Sequence, residues 1–209
     1  MQSEAPEALL FDLGGVLIDI DFERALAFWS SFSSMPVKEL RRSFSADAEY
    51  EAHERGELHE ADYFDYLARK LKLNASQSQI REGWNSIFVA EISETRALVE
   101  SLRGTVRCYA FTNTNATHMQ AWSQRFPAVV RAFHRVFASH ELGLRKPERA
   151  AFECICASIG VAAGRVLFFD DLPENVSAAN ESGLQAVLVR SPGDVSSALK
   201  SCALPRTVQ

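Results

Sequence analysis

The chain has 209 residues, 47% hydrophobic and 23% charged, with a formal net charge of −5. That is enough apolar material for one full core and a small accessory domain, which argues against a disordered or fibrous chain. The acidic balance argues against a nucleic-acid or anionic-membrane surface, since both want a basic face, and it points to a small-molecule partner.

In chain order, the start MQSEAPEALL carries no basic segment ahead of its apolar stretch, and no apolar run nears the roughly 18 residues of a membrane span. A cytoplasmic protein, monomeric or weakly dimeric, is therefore expected. The first strand is ALLFDL from Ala8, and it runs into a polar island at Asp12, Gly14 and Gly15. From Asp21 to about Phe88 only helical patterns follow: DFERALAFWSSF, PVKELRRSF, AEYEAHERGE, HEADYFDYLARKLKL and SQSQIREGWNSIF. So long a stretch without a strand must stand outside any sheet as a small bundle, with aromatics such as Trp29, Phe44, Tyr63 and Trp84 in its core. Hinges are expected near Ile18–Asp21 and Val89–Ser93.

After the bundle, short apolar runs alternate with helical patterns. Strands are expected at VRCYAFT from Val106, HRVFASH around Phe137, RVLFFDD from Arg165 and QAVLVR from Gln185. Such continuous runs suit strands covered on both faces. Helices are expected from Ser93 to Gly104, through ERAAFECICASIG to Gly160, and from Pro173 to Gly183, where glycine stops and a proline start punctuate the pattern. The alternation predicts an α/β protein: a Rossmann-like, doubly wound parallel sheet formed by residues 1–20 and 90–209, with residues 21–89 inserted as a helical domain. Cys108, Cys154, Cys156 and Cys202 show neither the C-x-x-C spacing of a zinc site nor the density of a disulfide scaffold, and read as free thiols.

Polar groups at the carboxyl ends of parallel strands gather in the crevice where open α/β sheets bind ligands. Asp12, Thr112, Asp170 and Asp171 all stand at such ends, and Lys146 follows in LRKPE. A single aspartate there is commonly a turn or helix cap. Three acids in one place repel unless a cation or a lysine neutralises them, and oxygen-ligated Mg²⁺ is the usual solution. Carboxylates, a hydroxyl and a lysine together describe a magnesium-assisted phosphoryl-transfer site.

Those islands, in order, resemble the four motifs of the haloacid dehalogenase (HAD) superfamily across nearly the whole chain. FDLGGVLIDIDF, HERGE, TNTN, LGLRKPE and FFDD are similar to its small bacterial sugar-phosphate phosphatases, the α-D-glucose-1-phosphate phosphatase branch. The resemblance implies that the inserted bundle is a C1 cap that selects substrate, and that a sugar phosphate such as glucose 1-phosphate is the ester cleaved. It implies Asp12 as the nucleophile and Thr112 with the Asn113 backbone as phosphate holders, with Lys146 orienting Asp12 and offsetting phosphate charge. Mg²⁺ would then be held by Asp12, the Gly14 carbonyl and Asp170, with Asp171 beside it and Asn175 in support.

One position departs from that pattern. The superfamily's phosphatases commonly carry a second aspartate two residues after the nucleophile as general acid and base, and here Gly14 stands in its place. His53, Glu54, Asp19 and Asp21 are the stand-ins considered, His53 first because its pKa lies near neutrality. His118 reads equally as substrate-facing or structural. Gly14 also keeps two other readings open: a metal-independent 2-haloacid dehalogenase, and a binding or regulatory protein that keeps the fold without turnover.

Overall fold

The computed structural model describes residues 5–202. Five parallel strands form one sheet: β1 (Ala8–Phe11), β4 (Arg107–Thr112), β5 (Arg135–Ala138), β6 (Val166–Asp170) and β7 (Gln185–Leu188), in the order β5-β4-β1-β6-β7. Every neighbouring pair is parallel. All five are the strands expected from the apolar runs.

Strand side chains alternate between faces, and here both faces are covered. Leu9, Phe11, Cys108, Ala110, Leu167 and Phe169 join one buried cluster with Val99, Trp122, Val129 and Val195. Those four lie on the helices Ser93–Ser101, Ala116–Arg125, Pro127–Ala132 and Pro192–Ser201. The intervening residues Leu10, Tyr109, Phe111 and Phe168 pack with Phe152, Ile155 and Ala179 on the helices Arg149–Ile159 and Pro173–Glu181. The sheet is thus doubly wound, and its apolar runs are continuous because neither face meets water. Gly160, at φ 68°, closes the helix Arg149–Ile159 in the left-handed conformation expected of a C-terminal glycine.

Five helices fill the stretch between Asp21 and Phe88: Phe22–Ser30, Val37–Ser43, Ala48–Glu54, Glu60–Lys70 and Gln77–Asn85, together called the cap below. Their aromatics meet around Trp84, with Tyr63 at 5.3 Å and Trp29 at 6.3 Å between ring centroids. Gly83 is what allows this, because a Cβ there would stand 2.2 Å from Trp29 Nε1. The cap core and the first sheet layer form one continuous apolar cluster. At both crossings between sheet and cap the chain forms a ribbon that the apolar patterns did not mark. β2 (Ile18–Ile20) pairs antiparallel with β3 (Phe88–Glu91), with a register shift between Asp19 and Ile20. Strands this short, irregularly paired, carry too little alternation to be read from sequence. Among the described residues no helix is long and apolar enough to cross a membrane.

Candidate functional site

β1 lies at the centre of the sheet with β4 on one side and β6 on the other, so the strand order reverses at its carboxyl end. A crevice opens at such a switch point. Asp12 follows β1, Thr112 ends β4 and Asp170 ends β6, which brings three separate strand ends to one spot. A cavity of about 490 Å³ lies above them, closed on its far side by cap residues including Phe22, Tyr50 and Glu54.

Lys146 is the organising charge. It is 1% exposed, and its ammonium stands 2.9 Å from Asp12 Oδ1 and 2.7 Å from Asp170 Oδ2. Its backbone is clamped by Asn113, whose side-chain oxygen accepts from Lys146 N at 2.8 Å and whose amide donates to Lys146 O at 2.9 Å. Asn113 thus ties the end of β4 to the loop that carries the lysine. Burial opposes the ammonium charge, but Asp12 and Asp170 hold the Lys146 pKa above its ordinary value. The Leu13 backbone N–H donates to Asp12 Oδ1 at 2.7 Å, so lysine and peptide together fix the plane of that carboxylate.

Asp170 is fully buried and held by more than the lysine. Asn175, one turn into the helix begun by Pro173, donates to both its oxygens at 3.0 and 3.1 Å, and the Leu172 N–H adds a bond of 2.9 Å. Asp171 completes a trio: carboxylate oxygens of Asp12, Asp170 and Asp171 all lie within 4.8 Å of one another. Gly15 makes room for it, since its φ is +67° and a Cβ there would fall 2.3 Å from Asp171 Oδ2. Burial, helped by Asp170 and Asp171, outweighs the pull of Lys146 and raises the Asp12 pKa to about 7. Asp171 is raised as well, by burial and by Asp170. One ammonium does not neutralise three carboxylates, and a hard, oxygen-ligated cation such as Mg²⁺ fits that donor set.

The remaining site candidates separate by position. Thr112 and Asn113 line the cavity, and so does Gly14. A Cβ at Gly14 would stand 3.1 Å from Ile20 Cδ1, so an isoleucine occupies the space beside the position of the second aspartate that the family resemblance leads one to expect. Of the four stand-ins only Glu54 lines the cavity. Burial pushes its pKa up, against the pull of Arg145, whose Nε stands 2.9 Å from Glu54 Oε2. His53, the preferred stand-in above, lies off the cavity: its ring stacks on Tyr63 at 4.4 Å and its Nδ1 donates to Leu58 O at 2.9 Å. It faces the cap core because Ala48–Glu54 is a helix, and adjacent residues on a helix point about 100° apart. Asp19 is exposed on β2, and Asp21 caps the helix Phe22–Ser30 by accepting from Glu23 N at 2.9 Å.

His118 lines the cavity and also ties sheet domain to cap. Its Nε2 donates to Trp84 O at 3.0 Å, and its ring stacks on Trp84 at 4.4 Å. Burial drives its pKa down to about 3, so the ring is neutral. Arg145 and Tyr50 were not singled out from the sequence, although both line the cavity. Arg145 also reaches Glu51 at 3.2 Å, and Arg55 pairs with Glu148 at 2.5 Å, so ion pairs run across the cap boundary. The available signal was the high charge density of AEYEAHERGE and LRKPE, which alone reads as two solvated faces.

Residues 6–183 match the haloacid dehalogenase-like hydrolase family. A phosphatase of Mycobacterium tuberculosis (strain CDC 1551 / Oshkosh) is 26% identical over 196 residues, covering 89% of this chain and 88% of the relative. A D-ribitol-5-phosphate phosphatase of Bacteroides thetaiotaomicron is 21% identical, over 85% of this chain and 88% of its own. A sesquiterpene phosphatase of Aspergillus oryzae is 25% identical, over 85% and 87%. Among solved structures, a HAD family enzyme from Bacteroides thetaiotaomicron in complex with magnesium and inorganic phosphate superposes with a TM-score of 0.77 at 28% identity, covering 88% of this chain and 93% of that one. Sequence match and shared architecture extend over most of the molecule, from the strand that presents Asp12 to the glycine after the helix that supports Asp170, and the chain belongs to the haloacid dehalogenase-like hydrolases.

Proposed function

We propose that this phosphatase cleaves a small phosphate monoester with the help of Mg²⁺, through a phosphoryl group carried on Asp12. The observation that supports it most is the Lys146 ammonium set between Asp12 and Asp170, with Asp171 beside them, at the floor of a cavity overhung by the cap. Asp12 attacks phosphorus, so a carboxylate oxygen–phosphorus bond forms as the ester oxygen–phosphorus bond breaks. The departing oxygen takes a proton, for which Glu54 is placed on the cap side of the cavity. Water then attacks the phosphoryl group, its proton passes to the Glu54 carboxylate, and Asp12 leaves as carboxylate with release of inorganic phosphate. Thr112 and the Asn113 backbone hold the phosphoryl oxygens, while Lys146 keeps Asp12 oriented and offsets the incoming charge. Mg²⁺, held by Asp12, the Gly14 carbonyl, Asp170 and Asp171, would supply charge neutralisation for the carboxylates and the phosphate oxygens.

The sugar phosphate implied by the sequence resemblance is one leaving-group class represented among relatives, as in the ribitol-5-phosphate phosphatase, and the sesquiterpene phosphatase represents an apolar one. The metal-free dehalogenase reading is weaker, because three carboxylates with one lysine would repel an anionic haloacid. Hydrolysis of p-nitrophenyl phosphate tests the proposal. Turnover should be lost with a chelator and return with Mg²⁺, whereas undiminished activity of a verified metal-free preparation would contradict it.

A further inference from the structure

The part of the cavity that a leaving group must occupy is walled mainly by hydrocarbon. Ile18, Ile20, Phe22, Ile87, Phe88 and Trp122 line it, drawn from the β2–β3 ribbon, the cap and the sheet domain. Ile18, Ile87 and Trp122 are buried to within 2% exposure, while Ile20 and Phe22 are half-buried and so still have surface to give to a ligand. Next to the reacting carboxylate itself the wall is Ile20, whose Cδ1 packs against the Gly14 backbone.

The polar groups on the cap side are already committed to one another. Glu54 takes Arg145 Nε at 2.9 Å and the Tyr50 hydroxyl, and Arg145 also reaches Glu51. His118, which enters the cavity from the sheet-domain helix Ala116–Arg125, gives its Nε2–H to Trp84 O. A site built for a sugar or polyol needs several unengaged donors and acceptors, because each hydroxyl taken from water without a partner costs binding. Away from the groups around Asp12, this cavity has Thr114, whose hydroxyl meets Trp122 Nε1 and Asn115 O, the exposed Glu174, and the engaged Tyr50, Glu54, Arg145 and His118, set among largely apolar walls.

We infer that the natural ester is the phosphate of an apolar alcohol, alkyl or aromatic, and not of a polyhydroxylated sugar. The inference rests on the phosphatase reading above. A cavity of about 490 Å³ is large enough for a phosphate with a hydrocarbon group of several carbons.

The test compares hexyl phosphate with glucose 6-phosphate, both six-carbon esters of primary alcohols, alongside p-nitrophenyl phosphate in Mg²⁺ buffer. The expected kcat/KM for hexyl phosphate is at least about tenfold above that for glucose 6-phosphate. Ile20→Thr, which keeps β-branching but replaces the ethyl arm with a hydroxyl, should lower that ratio. A second arm measures binding of both esters and of inorganic phosphate to Asp12→Asn by calorimetry, with hexyl phosphate expected to bind tightest. Glucose 6-phosphate matching or exceeding hexyl phosphate in both arms, while p-nitrophenyl phosphate is turned over, would overturn the inference and leave the phosphatase reading standing. If p-nitrophenyl phosphate is not hydrolysed, the phosphatase reading fails, and hexyl phosphate binding no tighter than inorganic phosphate would then overturn the inference as well.

Discussion

At the scale of single residues, the site is a problem of charge in a buried place. Three acidic side chains within 4.8 Å share one ammonium, and the protein supports them with the Asn113 clamp on Lys146 and the Asn175 amide on Asp170. The acid that protonates the leaving oxygen is assigned to Glu54, because burial raises its pKa and it lines the cavity. General acid help is worth roughly 10²–10⁴-fold for a poor leaving group and much less for a good one. Glu54→Gln should therefore lower kcat/KM for hexyl phosphate by about a hundredfold or more, with a far smaller change for p-nitrophenyl phosphate. An equal fall for both esters would return Glu54 to a structural partner of Arg145. His53→Ala, by contrast, should leave the ratio of the two esters unchanged, since its ring is packed on Tyr63 away from the cavity.

Between elements, the cap is joined to the sheet domain by polar contacts as well as by apolar packing. The helix Ala116–Arg125 presents His118 to the carbonyl of Trp84 in the cap helix Gln77–Asn85, and the ring must be neutral to fit there. A histidine whose folded pKa falls from the ordinary 6.5 to about 3 is protonated in the unfolded chain before it is protonated in the native one. Its contribution to stability is complete above pH 6.5 and is lost as pH falls towards 3, by about 1.4 kcal/mol per pH unit within that window. His118→Gln, which keeps a donor without titrating, should show a shallower loss of stability between pH 6.5 and 4 in urea unfolding. Parallel curves for the two proteins would mean that His118 becomes protonated within the folded structure.

Over the whole molecule, what could be read from sequence follows from how local each signal is. The five sheet strands were legible because burial on both faces leaves an unbroken apolar run, as in VLFF of β6, and the glycine and proline helix stops are local as well. The β2–β3 ribbon was not, because its few paired residues carry no periodicity. In the site, Asp12, Thr112 and Asp170 each end or follow an apolar run, which marks them locally, whereas Lys146 in LRKPE stands out only as a member of the ordered set of motifs. Arg145 and Tyr50 acquire their place only when the cap lies over the sheet domain, since the partners Glu54 and Arg145 are 91 residues apart. Likewise the choice between His53 and Glu54 depends on helix phase, which a polar cluster in the sequence does not reveal.

The central claim is that Asp12 carries the phosphoryl group during turnover. Wild-type protein mixed with Mg²⁺ and p-nitrophenyl phosphate, quenched in acid within the first turnover and digested, should yield a phosphorylated peptide with the modification at Asp12. Asp12→Asn should yield none and should release phosphate at less than about a hundredth of the wild-type rate while its thermal unfolding stays cooperative. Phosphate release by the wild type with no label at Asp12, or near-normal turnover by Asp12→Asn, would contradict the account.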